Sequence, residues 1–191
     1  IYDTTYEVIK KGEDTLVVID DSIVRGTTLE RSIIHILDRL EPKNIVIVSS
    51  SPQIRYPDCY AIDMSKMYEF VAFRAVIALL KDKKMTYLLD EVYQKCKNSL
   101  NLPLNKIENH VKEIYEPFTY EEVSDKIAQL ISKDYKTKVQ VVYQTIENLH
   151  QACPNHLGDW YFTGNYPTSG GNRVANRAFI NFMEGKKERA Y

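Results

Sequence analysis

The sequence has few cysteines, almost no charge imbalance and no long apolar run, and each absence excludes a class of protein. Its three cysteines are odd in number and no two of them have C-x-x-C spacing. This pattern argues against a disulfide scaffold and indicates a reducing, cytoplasmic setting. A net charge of −1 provides no basic surface for nucleic acid. No apolar run reaches the roughly 18 residues of a membrane span. We therefore expect neither nucleic acid nor a membrane as a partner.

The segment LVVIDDSIVRGTT, residues 16–28, combines a strand, two acids and a small polar loop. Its four leading apolar residues do not alternate with polar ones, which predicts a strand buried on both faces of a parallel sheet. Asp20 and Asp21 follow at the carboxyl end of this strand. The loop then consists of Ser22, Ile23, Val24, Arg25, Gly26, Thr27 and Thr28. An amphipathic helical pattern over residues 27–41 comes next.

This order of elements is typical of an anion site. Ligands of open α/β sheets bind beyond the carboxyl ends of strands, and a helix N-terminus offers backbone N–H groups to a phosphate. Gly26 permits a close approach of the backbone, while the loop hydroxyls add donors and a helix cap. Asp20 and Asp21 suit the hydroxyls of a neighbouring polyol, or a hydrated Mg²⁺ carried by the ligand. Arg25 has two open alternatives, a phosphate contact or a surface ion pair with Asp21 or Glu30.

The next part of the chain continues an α/β pattern. Residues 44–49 predict a second buried strand, so that strand, helix and strand form one right-handed βαβ unit. A short third strand is expected at residues 59–62, with Asp63 at its end as Asp20 is at the end of the first. A long core helix is predicted over residues 67–81, although Arg74 interrupts its apolar residues.

After residue 84 the pattern becomes mostly helical. Helices are predicted over residues 87–100, 107–115, 120–132, 144–152 and 172–183. Thr119 and Glu122 have the spacing of a capping box. Residues 138–143 alternate like a strand that joins a sheet edge or pairs in a hairpin. We therefore predict an α/β fold with a sheet region over residues 1–84 and a mostly helical extension over residues 85–191.

The motif DDSIVRGTT resembles the phosphoribosyl pyrophosphate (PRPP) signature of type I phosphoribosyltransferases. Its specific form is similar to the glutamine amidophosphoribosyltransferase branch of that family, as are SSSPQIRYPDCYAIDMS at residues 49–65 and YFTGNYPT at residues 161–168. The resemblance implies a Rossmann-like parallel sheet. Such a sheet needs strands ahead of residue 16, and the chain begins with Ile1. We therefore expect the C-terminal piece of a longer protein.

The resemblance also implies a reaction, the displacement of pyrophosphate from PRPP by ammonia to give 5-phosphoribosylamine in the first step of purine synthesis. In this family the ammonia comes from glutamine, which an N-terminal glutaminase domain hydrolyses. That domain is absent here, so we expect this piece alone to be inactive or nearly so. The implied partners are the upstream domain, purine nucleotides as feedback inhibitors, and further copies of the chain in a homo-oligomer.

The resemblance assigns roles to the motif. Asp20 and Asp21 contact the ribose and Mg²⁺ and lie near the positive charge that develops at the anomeric carbon, where fixed negative charge is stabilising. The loop of residues 22–28 binds the 5′-phosphate. The segment of residues 49–63 is expected to form a wall on the acceptor side, or else a proline-stiffened surface loop whose tyrosines pack on helices. The polar residues of this segment that could contact the acceptor are Arg55, Tyr56, Tyr60 and Asp63. No individual role is assigned to any of them.

Two further metal sites are not expected. Some members of the family carry an iron–sulfur cluster, with two cysteines just ahead of the FTGxYPT segment. Gly158 and Tyr161 stand at those places here, so we expect no cluster. His150, Cys153 and His156 have H-x₂-C-x₂-H spacing, but one thiol and no evident fourth ligand do not meet the needs of a structural zinc.

Two other functions share the central motif. A nucleobase-salvage phosphoribosyltransferase would carry it, but such enzymes are usually compact, and the long extension and the YFTGNYPT segment argue against one. A non-catalytic module that binds PRPP or a nucleotide and reports to a partner would also keep the loop. An aromatic cluster over residues 160–166 is expected to pack in a C-terminal core, the alternative being a wall on which a base stacks.

Overall fold

The computed structural model describes residues 8–58, 64–156 and 158–190. Within these ranges the protein is an α/β fold built on a parallel sheet in the order β1–β2–β3. The strands are β1 (Thr15–Asp20), β2 (Asn44–Ser49) and β3 (Lys138–Tyr143). The third strand predicted at residues 59–62, together with Tyr60 and Asp63, lies outside the described residues.

All three strands end in one row. Asp20 of β1 pairs with Ser49 of β2, which in turn pairs with Tyr143 of β3. Because paired residues of parallel strands project to the same side, these three share one face and one edge of the sheet. The prediction that residues 138–143 join a sheet edge is confirmed, and the hairpin alternative is wrong, since β3 runs parallel to β2.

The helices follow the apolar periodicity of the sequence. In the described ranges the α-helices are α1 (Ile34–Asp38), α2 (Val71–Asp82), α3 (Tyr87–Ser99), α4 (Tyr120–Ser132), α5 (Ile146–Ala152), α6 (Trp160–Thr163) and α7 (Ser169–Met183). A π-helical segment, Leu29–Ile33, leads into α1. Short 3₁₀ helices occur at Met67–Glu69, Leu104–Lys106 and His110–Ile114. No helix in this part of the chain is both long and apolar enough to span a membrane.

Three predicted helices differ in form from the expectation. The helix predicted over residues 27–41 starts with the π-helical segment and stops before Glu41, which has a φ of 53° ahead of Pro42. The helix predicted over residues 67–81 begins as a 3₁₀ turn, because Phe70 has an extended conformation ahead of α2. The weaker helix predicted over residues 107–115 is a 3₁₀ helix, His110–Ile114.

One face of the sheet is covered and the other is open. Ile45 and Ile47 of β2 are fully buried, and α4 packs on β3 and on α2. On the opposite face, Val17 and Ile19 of β1 are 62% and 75% exposed. The prediction that this first strand is buried on both faces is therefore wrong, because the described helices pack into a core on one side only.

α2 is the central helix of that core. Val71, Phe73 and Leu80 are fully buried, and the ring of Phe73 meets the ring of Phe179 from α7 in an edge-on contact at 6.2 Å. Helices from the second half of the chain therefore share a core with the sheet. The predicted capping box of α4 is confirmed, with Thr119 accepting from the Glu122 N–H group and the Glu122 carboxylate accepting from the Thr119 N–H group.

Candidate functional site

The predicted loop lines an open cavity of about 290 Å³ at the carboxyl end of β1. The cavity is lined by Asp20, by residues 22–28, and by Leu29 and Ile33 of the π-helical segment. The structure therefore brings together all of the predicted phosphate-loop residues around one space. Asp21 does not line the cavity and is exposed beside it.

Gly26 determines the course of the loop. It has a φ of +71°, a conformation that side-chain-bearing residues rarely adopt. It is also buried, and an added Cβ would lie 3.2 Å from Ile131 Cγ2 and 3.4 Å from Val71 Cγ2. The loop is therefore pressed against the core at this position, and a glycine is required for both reasons.

Hydrogen bonds to its backbone carbonyls hold the loop on α2 and on the following helix. The N–H group of Val71 donates to the carbonyl of Val24 over 2.8 Å. The guanidinium of Arg74 donates from Nη2 to the carbonyl of Arg25 over 2.7 Å. On the other side, the N–H group of Glu30 donates to the carbonyl of Gly26 over 2.9 Å. These contacts fix the loop between α2 and the π-helical segment.

The predicted threonine cap is not formed by Thr28. Thr28 has helical backbone angles and its side chain makes no capping hydrogen bond, so this part of the prediction is wrong. Both Thr27 and Thr28 are exposed on the cavity wall. Within the described residues, neither threonine hydroxyl forms a hydrogen bond. Both can therefore donate to a ligand in the cavity.

The Arg25 side chain forms an ion pair, as one of its two alternatives expected, but with a partner that the sequence did not predict. Its Nε lies 2.8 Å from Oε2 of Glu69, in the 3₁₀ turn ahead of α2. The expected partners, Asp21 and Glu30, are not the ones observed, because folding brings a residue 44 positions away against the loop. A contact between Arg25 and a phosphate stays a prediction.

The two acids form a local pair at the end of β1. The N–H group of Asp21 donates to Oδ1 of Asp20 over 3.0 Å, and the Ser22 hydroxyl donates to Oδ1 of Asp21 over 3.4 Å. Burial raises the pKa of Asp20 above its ordinary value, and the neighbouring Asp21 carboxylate adds to this rise, although the Asp21 N–H group opposes it. A cation bound beside the two carboxylates would therefore stabilise their charged forms.

The donor set at this pair fits a metal that arrives with most of its ligands. Asp20 and Asp21 supply hard oxygen donors of the kind that Mg²⁺ prefers. Over the described residues, no group of three or more histidine, cysteine, aspartate or glutamate side chains lies together to hold a metal ion. The pair thus fits a hydrated or substrate-bound Mg²⁺ rather than a cage made by the protein alone.

The strand-end row contains two residues that sequence reasoning missed. Ser49 is 1% exposed, and its hydroxyl donates to the carbonyl of Ser51 over 2.9 Å. The Tyr143 hydroxyl is buried without a hydrogen-bond partner among the described residues. Burial raises the pKa of Tyr143, and the Asp20 carboxylate contributes to this rise. Both residues stand at a predicted strand end, and Ser49 also begins the segment expected to form the acceptor wall, although neither was singled out as a site residue.

The segment after β2 is interior rather than exposed. Arg55 is 6% exposed, and its guanidinium donates to Gln53 Oε1 and lies 3.8 Å from the ring centre of Tyr120. The N–H groups of Arg55 and Tyr56 both donate to the carbonyl of Tyr161. The YFTGNYPT segment is thereby attached to residues 55–56. The described part of the segment is not a surface loop, and its role as an acceptor wall stays a prediction.

The H-x₂-C-x₂-H residues are not gathered into a cluster in the described structure. His150 Nε2 lies 3.1 Å from Oδ2 of Asp159, and Cys153 is exposed. Phe162, within the aromatic segment, is buried as expected of a C-terminal core residue.

Comparison with known proteins gives a local match. The chain is similar to amidophosphoribosyltransferases over about a third of its length. It is 42% identical over 62 residues to the Pseudomonas aeruginosa enzyme and 40% identical over 60 residues to that of Escherichia coli. A longer match, 27% identical over 92 residues, is to the Schizosaccharomyces pombe enzyme.

These matches cover a small part of each relative. The aligned stretch is 32% of this chain but only 12% of the P. aeruginosa protein, and 46% of this chain but 17% of the S. pombe protein. No family profile matches the chain. The comparisons therefore support a relation at the level of a fragment.

Proposed function

We propose that this chain binds PRPP and forms part of an amidophosphoribosyltransferase that makes 5-phosphoribosylamine and pyrophosphate from PRPP and ammonia. The observation that carries the proposal is the cavity at the end of β1, which Asp20 and residues 22–28 line together. The local similarity to amidophosphoribosyltransferases supports this choice of reaction.

In this proposal the loop binds the 5′-phosphate. Backbone N–H groups and the hydroxyls of Ser22, Thr27 and Thr28 donate to the phosphate oxygens, as at other helix N-termini that bind anions. Asp20 and Asp21 accept hydrogen bonds from the ribose hydroxyls. Mg²⁺, when bound with the substrate at these two carboxylates, neutralises charge on the pyrophosphate group.

The proposed reaction is a displacement at the anomeric carbon. The ammonia nitrogen forms a bond to this carbon while the bond to the pyrophosphate oxygen breaks, pyrophosphate leaves with the electron pair, and the new amine loses a proton. Positive charge develops on the ribose during this step. The negative charge of Asp20 and Asp21 is fixed beside the ribose and stabilises that charge more in the transition state than in the ground state.

The remaining parts of the proposal concern partners. Ammonia is supplied from glutamine by a glutaminase domain that lies upstream in the complete protein. Purine nucleotides act as feedback inhibitors because their 5′-phosphate fits the same loop. The assembly is a cytoplasmic homo-oligomer. The local similarity to amidophosphoribosyltransferases supports the choice of an amido transfer over base salvage.

Calorimetric titration of the chain with PRPP and Mg²⁺ tests the proposal. We expect Asp20→Asn/Asp21→Asn to weaken binding by about 1–3 kcal/mol, because hydrogen bonds to charged groups are lost. Asp90→Asn/Glu91→Gln is a matched control, since it neutralises another adjacent exposed acidic pair on α3. Ribose 5-phosphate and AMP, which carry the 5′-phosphate but no pyrophosphate group, are the controls for phosphate binding by the loop.

Two results would contradict the proposal. Failure of the unaltered chain to bind PRPP or ribose 5-phosphate would remove the phosphate-binding role of the loop. Equal PRPP affinity in the unaltered chain and in the Asp20→Asn/Asp21→Asn variant would remove the role of the two aspartates. Pyrophosphate release in ammonium buffer from the complete protein distinguishes the enzyme from a module that only binds PRPP.

A further inference from the structure

One charged side chain interrupts the apolar helix behind the candidate phosphate loop. Arg74 lies on α2 between Phe73 and Ala75, which are both fully buried. Its own side chain is partly buried. A guanidinium in such a position loses hydration, and it is retained where it forms specific contacts.

The contact that Arg74 makes is with the loop backbone. Its Nη2 donates to the Arg25 carbonyl over 2.7 Å. One turn earlier on the same helix, the N–H group of Val71 donates to the preceding carbonyl, that of Val24, over 2.8 Å. Two successive carbonyls of the loop therefore point toward α2 and are held there.

This anchoring decides where the loop N–H groups point. In a trans peptide the carbonyl and the following N–H group point in opposite directions. With the carbonyls of Val24 and Arg25 held on α2, the N–H groups of Arg25 and Gly26 are directed away from α2. Gly26 has a left-handed backbone conformation, and successive N–H groups around such a residue form a concave anion-binding nest.

The charge of Arg74 is not neutralised by a nearby acid within the described residues, where no carboxylate forms an ion pair with it. Its Nε is buried and has no hydrogen-bond partner in the same part of the chain. The Arg25 guanidinium, by contrast, is paired with Glu69. Arg74 is thus a fixed positive charge behind the loop, which favours an anion on the opposite side.

We propose that Arg74 is a positioning residue of the phosphate loop, which aims the Gly26 N–H group at the ligand phosphate and adds a positive charge behind it. The inference rests on the proposed function, because it takes the anion to be the 5′-phosphate of the ribose ligand. It assigns to α2 a part in binding that the PRPP motif itself does not contain.

Titration of the full chain with ribose 5-phosphate tests this role. Arg74→Met is expected to lower the affinity about tenfold, the loss typical of one charge-assisted hydrogen bond. Arg74→Lys keeps the charge and a donor, and is expected to restore most of the affinity. Arg39→Gln removes an exposed arginine at the end of α1 and is expected to bind like the unaltered chain. Thermal unfolding of each variant is measured alongside.

The outcomes separate the inference from the proposed function. Binding by the unaltered chain with equal affinity in Arg74→Met would overturn the inference and leave the proposed function standing. A loss of thermal stability without a loss of affinity would show a purely structural role, and would also overturn it. If Arg74→Met does not fold, an Arg74→Lys variant that folds but binds about tenfold more weakly than the Arg39→Gln control would refute the role of the charge. Absence of ribose 5-phosphate binding in the unaltered chain would overturn both.

Discussion

Two glycines with the same backbone conformation allow the strain at the candidate site to be measured. Gly12 and Gly26 both have a φ of +71°. Gly12 lies in the turn before β1 and has nothing within 4 Å of an added Cβ. At Gly26, the same atom would lie 3.2 Å from Ile131 and 3.4 Å from Val71, which are both buried in the core. The two positions therefore share the same φ and differ in packing.

The expected losses of stability follow from this difference. Gly12→Ala places an alanine in a left-handed conformation and is expected to lose about 1 kcal/mol, partly offset by a less flexible unfolded chain. Gly26→Ala adds overpacking of the core, for a total of about 3 kcal/mol. For a chain of this length these losses correspond to falls in Tm of about 3 °C and about 9 °C.

Thermal unfolding followed by circular dichroism measures both losses, and titration with ribose 5-phosphate measures the effect on the loop. Gly26→Ala is expected to weaken binding because the loop must shift away from α2, whereas Gly12→Ala is expected to bind normally. Equal falls in Tm for the two variants would refute the packing argument. Normal binding by Gly26→Ala would refute the claim that the observed loop conformation is the one that binds.

Three further predictions concern stability. Asp20→Asn is expected to raise Tm at pH 7 by about 1–2 °C, because burial and the nearby Asp21 disfavour the charged form. The gain should vanish near pH 3, where the acid is already protonated in both states. Asn176→Leu removes a fully buried amide that accepts from the His110 N–H group, and guanidinium unfolding should show a loss of about 3 kcal/mol. Thr119→Ala breaks the capping box of α4 and should lose about 1 kcal/mol in the same assay.

Each of these expectations has a result that contradicts it. A lower Tm for Asp20→Asn at pH 7 would show that the charged carboxylate stabilises the free chain. A loss below about 1 kcal/mol for Asn176→Leu would show that the His110 N–H group finds another hydrogen bond. Unchanged stability of Thr119→Ala would show that water replaces the cap.

Local patterns in the sequence predicted the elements that depend on neighbouring residues. β2 has the predicted bounds, and the capping box at Thr119 forms as its spacing indicates. Gly26 was assigned to a loop that needs a glycine, and its φ of +71° agrees with that, while its approach to a ligand stays a prediction. These features succeed because they depend on backbone conformation and short-range hydrogen bonds, which the residue types themselves specify.

Features that depend on distant parts of the chain were missed. The partner of Arg25 is Glu69, and the charge behind the loop belongs to Arg74, both remote in sequence. Arg74 did give a signal, since an arginine within an apolar helix needs a specific contact, but the sequence alone does not show which one. The exposure of Ile19 was also unpredictable, because an apolar run cannot show whether both faces of its sheet are covered.

The central strand meets its two neighbours at very different separations along the chain. Asn44 of β2 pairs with Thr15 on one side and with Lys138 on the other. The first pairing closes a short loop, while the second must bring together segments separated by α2, α3 and α4. Since long-range closure slows folding, we expect β1, α1 and β2 to associate early and β3 to join last. The phosphate loop, which connects β1 to the helix that follows, would then form before β3 completes the sheet.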